Sequence, residues 1–298
     1  NTTNRILLFD KAQYEYFSPF NKACIFHLPL ASAVDRFDKV IQSITDEDRN
    51  KFACDISFVG STYREKDPLS ELNGLSDYTK GYIEALSEAS LKIYGYYPVK
   101  DAVNERILAD IKRAAGNDFP YIKDAVRDLD EYTVSHRYIG SHLAVVEREL
   151  TLNTLSKYFK IDFFTKGDTS HYNAGSGHML RIHPPVDTLS EMPKIFNLSR
   201  INLNMTMRPI ETGLPLRCFD ILGCGGFLMT NYQQELEDMF TIGEDLEAYS
   251  SLEELIDKCD YYLSHEEERR RIAINGYENV IKNHSHFCRL KEMMGLIQ

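Results

Sequence analysis

The chain has 298 residues, of which 43% are hydrophobic and 27% charged, ordinary values for a water-exposed globular protein with one large or two modest cores. Net charge is −11, with acidic side chains scattered along the chain, so a basic nucleic-acid-binding face is not expected. No apolar run approaches the ~18 residues of a membrane-spanning helix.

The N-terminus, from Asn1, has neither a basic segment followed by an apolar one nor an initiating Met. The reading is a processed chain or a piece of a longer one. Cys24, Cys54, Cys218, Cys224, Cys259 and Cys288 show no CxxC pair and no regular spacing. Four of them lie in apolar segments, which predicts buried reduced thiols and a cytoplasmic location rather than a disulfide framework.

Residues 1–53 offer two short β-like runs, Arg5 to Phe9 and Cys24 to Leu28. The polar stretch from Ser43 to Lys51 reads as a helix end plus a linker. That is too little for an independent domain, and the segment is read as a remnant or annex. Asp55 to Val59 is an apolar strand stopping at Gly60-Ser61, a common strand-to-helix turn. A long helical segment follows, from about Ser76 to Tyr158. Ile107, Ile111 and Ala114, then Ile122, Ala125, Val126 and Leu129, then Val145, Leu152 and Leu155 keep helical spacing. Breaks are expected near Asn117 and Gly140, and the segment (about 69–158) is read as a helical insertion packing on itself, with a possible role in oligomer formation.

Beyond it, strands are expected at Lys160 to Phe164, Leu180 to His183, Ile201 to Asn204 and Gly226 to Thr230, with an edge strand at Ala248-Tyr249. Helices are expected at Met192 to Leu198, Leu216 to Leu222, Glu235 to Phe240, Leu252 to Leu263 and Glu266 to about Asn283. This alternation predicts an α/β fold with a parallel sheet covered on both faces. Ligands of such sheets bind outside the carboxyl ends of the strands, so the loops after Val59, Phe164 and Leu203 become the candidate site.

The stretch Ile201 to Asn231 reads as strand, loop, helix, glycine turn and strand. Gly213 stands just before the helix and Pro215 in its first turn, where proline is tolerated. The helix start, with N–H groups at Gly213 and Leu214, suits an anion. Arg217 can reach a phosphate with two N–H groups, and Asp220, one turn on, can accept hydrogen bonds from vicinal hydroxyls. The competing reading of Arg217 and Asp220 is a structural ion pair on the helix surface. Gly223-Cys-Gly-Gly226 lies after a helix and before a strand, the reverse of a dinucleotide fingerprint, and reads as a tight turn. The sequence around Ser176 lacks the context of a hydrolase nucleophile. His171, His178, His183, His284 and His286 show no metal-ligand spacing, and no metal is expected.

This stretch resembles the C-terminal signature of group 1 glycosyltransferases, in the branch of CgeB-like spore-maturation proteins. That signature runs from Leu-Asn through Gly-x-Pro-x-Arg-x-Phe-Glu/Asp to Cys-Gly-Gly and an apolar strand ending in Thr-Asn. Glu253 to Lys258, Tyr261 to Leu263, Glu266 to Tyr277, and His284 with Arg289 match its continuation, while Asp55 to Ser61 is similar to the first strand. The resemblance implies a Rossmann-like parallel sheet, the C-terminal, donor-binding domain of a GT-B fold. That domain would be residues 54–298, with 1–53 a remnant of the acceptor-side domain.

It further implies transfer of a sugar from a UDP- or GDP-type donor to an unknown acceptor, without a metal or other cofactor. By resemblance, Glu211 and Gly213 contact the donor sugar and phosphate, and Asp220 takes the place of a ribose-binding Glu. Arg64 and Lys66 stand as a basic pair on the leaving diphosphate, with solvated loop charges as the competing reading. Thr165 and Lys166 flank the base, and Gly60, Ser61, Asn204, Thr212, Leu214 and Arg217 complete the donor site. Glu211 and Asp220 are separated by eight residues, one more than the family's Glu-x7-Glu. Two alternatives stay open: a domain that holds a nucleotide-sugar without catalysis, and a scaffold domain that binds no nucleotide.

Overall fold

The computed structural model describes residues 4–120, 128–173 and 177–297. Ile122, Ala125, Val126 and Ser176 lie outside the described residues. Near the N-terminus β1 (Ile6–Leu8), α1 (Lys11–Phe17) and β2 (Ile25–His27) make a βαβ unit whose two strands pair in parallel. Next come α2 (Val34–Gln42) and α3 (Asp46–Phe52). The charged stretch read as a helix end and linker is therefore a complete helix. Thr45 and Asp48 close a reciprocal capping box at its start, a signal that local polarity masks.

Then β3 (Ile56–Val59), all four residues buried, leads into the helical region. That region holds α4 (Asp77–Ser90), α5 (Val99–Ala102), α6 (Glu105–Ala115), α7 (Asp130–Tyr132), a π-helical stretch Thr133–Ile139 and α8 (Gly140–Leu155). The expected break at Asn117 is present, since α6 gives way to a 3-10 turn at Gly116–Asp118. The expected break at Gly140 is not: the π-helical stretch runs straight into α8. Gly140 is there for close packing instead, because a Cβ would lie 2.2 Å from Pro209 Cγ and 2.9 Å from the Tyr97 hydroxyl.

The second half is β4 (Ile161–Phe164), β5 (Leu180–His183), α9 (Met192–Leu198), β6 (Ile201–Asn204), α10 (Leu216–Gly223) and β7 (Leu228–Asn231). It closes with α11 (Leu236–Met239), β8 (Glu247–Tyr249), α12 (Leu252–Ser264), α13 (Glu266–Asn283) and α14 (His286–Ile297). The expected strands are all present, Leu180–His183 and Ile201–Asn204 with the expected ends and the others shifted by one or two residues, and Ala248-Tyr249 belongs to the edge strand β8. The six strands form one parallel sheet in the order β5-β4-β3-β6-β7-β8. The chain winds outward from β3 to β5, returns to β6 beside β3, and winds the other way to β8. Strand order thus reverses between β3 and β6, where crossovers diverge and leave a crevice at the strands' carboxyl ends.

One buried cluster, built on Phe196, Phe219, Leu222 and Leu228, fills the face covered by α2, α9 and α10. A second, with Phe163, Leu152, Leu155, Leu255 and Ile272, fills the other face under α8, α12 and α13. The helical region has its own core of Ile107, Ile111, Val134, Ile139 and Leu143. Helix α8 therefore starts in one core and ends in another, spanning the helical region and the sheet. Cys24, Cys218, Cys224 and Cys259 are buried, and Cys54 and Cys288 are partly exposed.

Candidate functional site

The crevice at the strand-order reversal has a volume of about 180 Å³ and is walled by the two strands that diverge there. From β3 come Phe58, Val59, Gly60, Ser61 and Tyr63, and from β6 Asn204 to Met207. Ile210, Pro215 and Arg217 close one side and Arg148 of α8 the other.

The loop after β3 is held tightly. Tyr63 N–H donates to the Ser61 hydroxyl at 3.0 Å, and Ser61 donates in turn to Glu65. Tyr63 has φ +65°, alone among the described non-glycine residues in the left-handed region. Backbone strain of this kind persists where the surroundings impose it, and it clusters at binding sites. On the opposite wall the buried Asn204 amide donates to the Thr206 and Thr230 hydroxyls at 3.0 and 2.9 Å. Thr206 N–H donates to Asn231 at 2.7 Å and Asn231 donates back to the Thr206 carbonyl at 3.0 Å. Asn204 and Asn231 are buried in a strand-end network and shape the loop from Met205 to Ile210.

The loop leading into α10 rests on the N-terminal segment. Asp10, fully buried, accepts the Glu211 N–H at 2.7 Å and the Thr212 hydroxyl at 3.0 Å. Thr212 also lies 2.8 Å from Glu235, which accepts from Lys11 N–H at 2.8 Å and meets His27 at 3.1 Å. Gly213 is required by this seam: a Cβ there would stand 2.8 Å from Asp10 Cα and 3.0 Å from the Phe9 carbonyl oxygen. Leu214 is a core residue. The Glu211 carboxylate pairs with Lys100 and lies 3.4 Å from His136 Nε2. Burial works to raise its pKa, but those two hydrogen bonds outweigh it and hold the carboxyl below its usual value.

On α10, Arg217 Nη1 is 3.7 Å from Asp220 Oδ2. The Arg217 guanidinium lies over the Phe196 ring at 5.2 Å, with Met192 Sδ against it. Burial pushes the Asp220 carboxyl up to about 6, against the opposing pull of Arg217. A hydrogen-bond donor reaching this carboxylate would favour its ionised form.

Of the residues marked in the sequence, Gly60, Ser61, Asn204 and Arg217 line the crevice together. Arg64 and Lys66 do not. Arg64 Nη2 pairs with Glu149 of α8 at 2.6 Å. Lys66 lines a separate cavity with Glu65, Asp67, Pro68, Glu71 and Arg137. Thr165 is buried and accepts the Gly167 N–H at 3.3 Å, while Lys166 is exposed, and neither lines this crevice. Sequence reasoning missed Tyr63, Met207 and above all Arg148, which sits in a helix read only for its apolar spacing. A wider cavity of about 670 Å³, lined by Leu69, Leu72, Ile83, Leu91, Val146 and others, lies in the helical region away from the strand ends. Among the described residues no cluster of three or more His, Cys, Asp or Glu is arranged to hold a metal ion. No helix among them is long and apolar enough to cross a membrane.

The fold and crevice define a doubly wound α/β protein with a polar site at its switch point. Residues 148–295, from Arg148 into the last helix, match the family described as glycosyl transferase-like, just under half of the chain. No curated protein matches the chain. Among solved structures it is similar to a glycosyltransferase from Rickettsia africae, at 12% identity and a TM-score of 0.48, covering 99% of this chain and 62% of that one. It is also similar to sucrose-phosphate synthase from Thermosynechococcus elongatus, at 10% identity and a TM-score of 0.49, covering 97% and 56%. A third is HepE of Anabaena in complex with UDP and glucose, at 7% identity and a TM-score of 0.47, covering 98% and 62%. The chain thus spans about three fifths of the length of such structures.

Proposed function

We propose that this chain carries the donor side of a GT-B glycosyltransferase, binding a nucleoside-diphosphate sugar in the crevice between β3 and β6. The observation that carries the reading is the pairing of Arg217 and Asp220 one turn apart on α10, beside the crevice and inside the glycosyl transferase-like segment. Arg217 faces the crevice as a phosphate ligand, and the buried Asp220 carboxylate accepts a ribose diol. The 211–214 loop is fixed by Asp10, so its backbone is pre-set for the sugar-phosphate linkage rather than ordered at ligand expense.

The transfer needs no metal in this reading, because positive side chains neutralise the departing diphosphate. The run from Gly213 to Gly226 and the segment from Glu253 to Tyr277 support the CgeB-like branch of group 1.

Calorimetric titration with UDP, GDP and their hexose derivatives tests the proposal. Binding of one series is expected, and Asp220→Ala should weaken it by about ten- to a hundredfold, the worth of a hydrogen bond to a charged group. Absence of binding to every nucleotide would sink the reading. Slow release of free hexose from the bound donor, measured by coupled assay, would separate a transferase from a domain that only holds the nucleotide-sugar.

A further inference from the structure

Arg148 is 5% exposed, lines the crevice, and stands on α8 rather than on either strand loop. Its Nη1 donates to the Ala144 carbonyl at 3.0 Å and its Nη2 to the Met205 carbonyl at 3.1 Å. Its Nε has no hydrogen-bond partner among the described residues.

Nor does any carboxylate among them form an ion pair with it. The two acids flanking it in sequence are engaged elsewhere: Glu147 with Arg208 at 2.7 Å, and Glu149 with Arg64 at 2.6 Å. What faces the guanidinium is aromatic, with the Tyr63 ring 4.2 Å away and the Phe58 ring 5.9 Å away. Cation–π attraction offsets part of the desolvation of a buried cation but does not neutralise it. Burial pulls the Arg148 pKa down from its usual value, yet a guanidinium stays charged at neutral pH. The protein therefore keeps a full positive charge in a small crevice, with an unpartnered Nε–H and no carboxylate in an ion pair with it among the described residues.

Arg217 adds a second guanidinium to the same lining, with Asp220 as its ion-pair partner at 3.7 Å, so the charge left over is that of Arg148. The local sum is an uncompensated positive field that an anion would complete.

We infer that Arg148 is the main anion receptor of this crevice, holding a phosphate or diphosphate group together with the Arg217 guanidinium. The identity of that anion as the diphosphate of a nucleotide-sugar rests on the donor reading above; the charge balance calls for an anion in either case. The helical region thereby supplies the phosphate ligand that the sequence pattern assigns to Arg64 and Lys66. Arg64 is already neutralised, and Lys66 lies in a separate cavity. Met205, whose carbonyl fixes Arg148, belongs to the strand loop opposite, so α8 and the sheet must be docked for the receptor to exist.

The test is calorimetry on the full chain at low ionic strength, with inorganic pyrophosphate and with the nucleoside, monophosphate and diphosphate of uridine and guanosine. Arg148→Gln should weaken pyrophosphate and the preferred nucleoside diphosphate by about ten- to a hundredfold, and leave the free nucleoside unchanged. Undiminished pyrophosphate and diphosphate binding by a folded Arg148→Gln protein overturns the inference while leaving the donor reading intact. Arg148-dependent binding of pyrophosphate without any nucleotide binding supports the inference and removes the donor reading. Absence of pyrophosphate and nucleotide binding by the wild-type chain overturns both. If Arg148→Gln does not fold, the wild-type Arg148 Nε–H resonance decides, with assignment from Arg148→Lys. It should move on saturation with pyrophosphate, and an unmoved signal in a saturated sample refutes the role.

Discussion

Asp10, in the turn after β1, accepts the backbone N–H of Glu211 at 2.7 Å, across 201 residues of chain. The same carboxylate accepts Ala12 N–H at 2.9 Å, Gln13 N–H at 3.2 Å and the Thr212 hydroxyl at 3.0 Å. One buried side chain therefore caps α1 and fixes the loop that enters α10. Replacing it with Ala leaves two or more buried donors unsatisfied and removes a helix cap. The expected loss is about 2–4 kcal/mol of stability, with weaker nucleotide binding because the 211–214 loop is no longer pre-set. Urea unfolding and UDP or GDP titration of Asp10→Ala measure the two effects, and a stable variant with full affinity would show that the seam is incidental.

Gly213→Ala tests the same seam from the other side. The added methyl meets backbone atoms, Asp10 Cα at 2.8 Å and the Phe9 carbonyl oxygen at 3.0 Å, so relief requires the β1–α1 turn to move away from the α10 loop. A destabilisation of about 1–3 kcal/mol and a loss of nucleotide affinity are expected. Gly81→Ala is the control: it lies inside α4, with nothing within 4 Å of an added Cβ, and should stabilise by roughly 0.5–1 kcal/mol. Equal thermal shifts for the two substitutions would count against the steric argument.

Much of this arrangement was legible in the sequence. The six strands of the sheet announce themselves as short apolar runs ending in glycine or polar residues, and fully buried parallel strands have little freedom to look otherwise. The helix from Leu216 and its Gly213 entry were readable for the same reason: turn chemistry is local. Arg148 was not, because a helix pattern shows which positions are apolar, and not which charged side chain will be drawn into a crevice by packing two cores together. Gly140 misled for a related reason. A glycine in a helical segment signals a break when judged locally, and only the approach of Pro209 and Tyr97 gives it another purpose. The partners of Arg64 and Glu211 are Glu149 and Lys100, distant in sequence and without a pattern that links them.

Asp220 gives the site a pH signature. Its folded pKa, about 6, lies above the ordinary carboxyl value of 3.8, so the folded state binds this proton more tightly than the unfolded one. Stability linked to the group is fully present below the unfolded pKa and is lost as pH rises through about 6. The burden above that is about 2–3 kcal/mol at neutral pH. Asp220→Asn should therefore raise the melting temperature at pH 7.5 and change it little at pH 4. If the carboxylate accepts a ribose diol, the same substitution weakens nucleotide binding at pH 7.5, and wild-type affinity falls as pH drops below about 6. Melting curves at the two pH values, with titrations alongside, check this. A pH-independent stability change would mean that burial does not set the state of Asp220.

Glu147 and Arg208 supply the sharpest test of how the helical region is attached to the sheet. Both are buried, and Glu147 Oε1 accepts from Arg208 Nε at 3.0 Å and Nη2 at 2.7 Å. The Tyr94 ring lies 4.1 Å over the guanidinium. Arg208 belongs to the loop after β6 and Glu147 to α8, so the pair joins the two walls of the crevice next to Arg148. Removing one partner strands the other charge in a dry environment, and Glu147→Ala should cost about 3–5 kcal/mol. Arg208→Met alone should cost a similar amount. The double variant Glu147→Leu/Arg208→Met should recover much of the loss, because the desolvation of both charges disappears with them. Nucleotide affinity of the recovered double variant then separates two roles. Retained binding means that the pair only offsets its own burial, whereas lost binding in a stable protein means that its geometry sets the position of Arg148. Strictly additive single losses would show that the charges are not coupled.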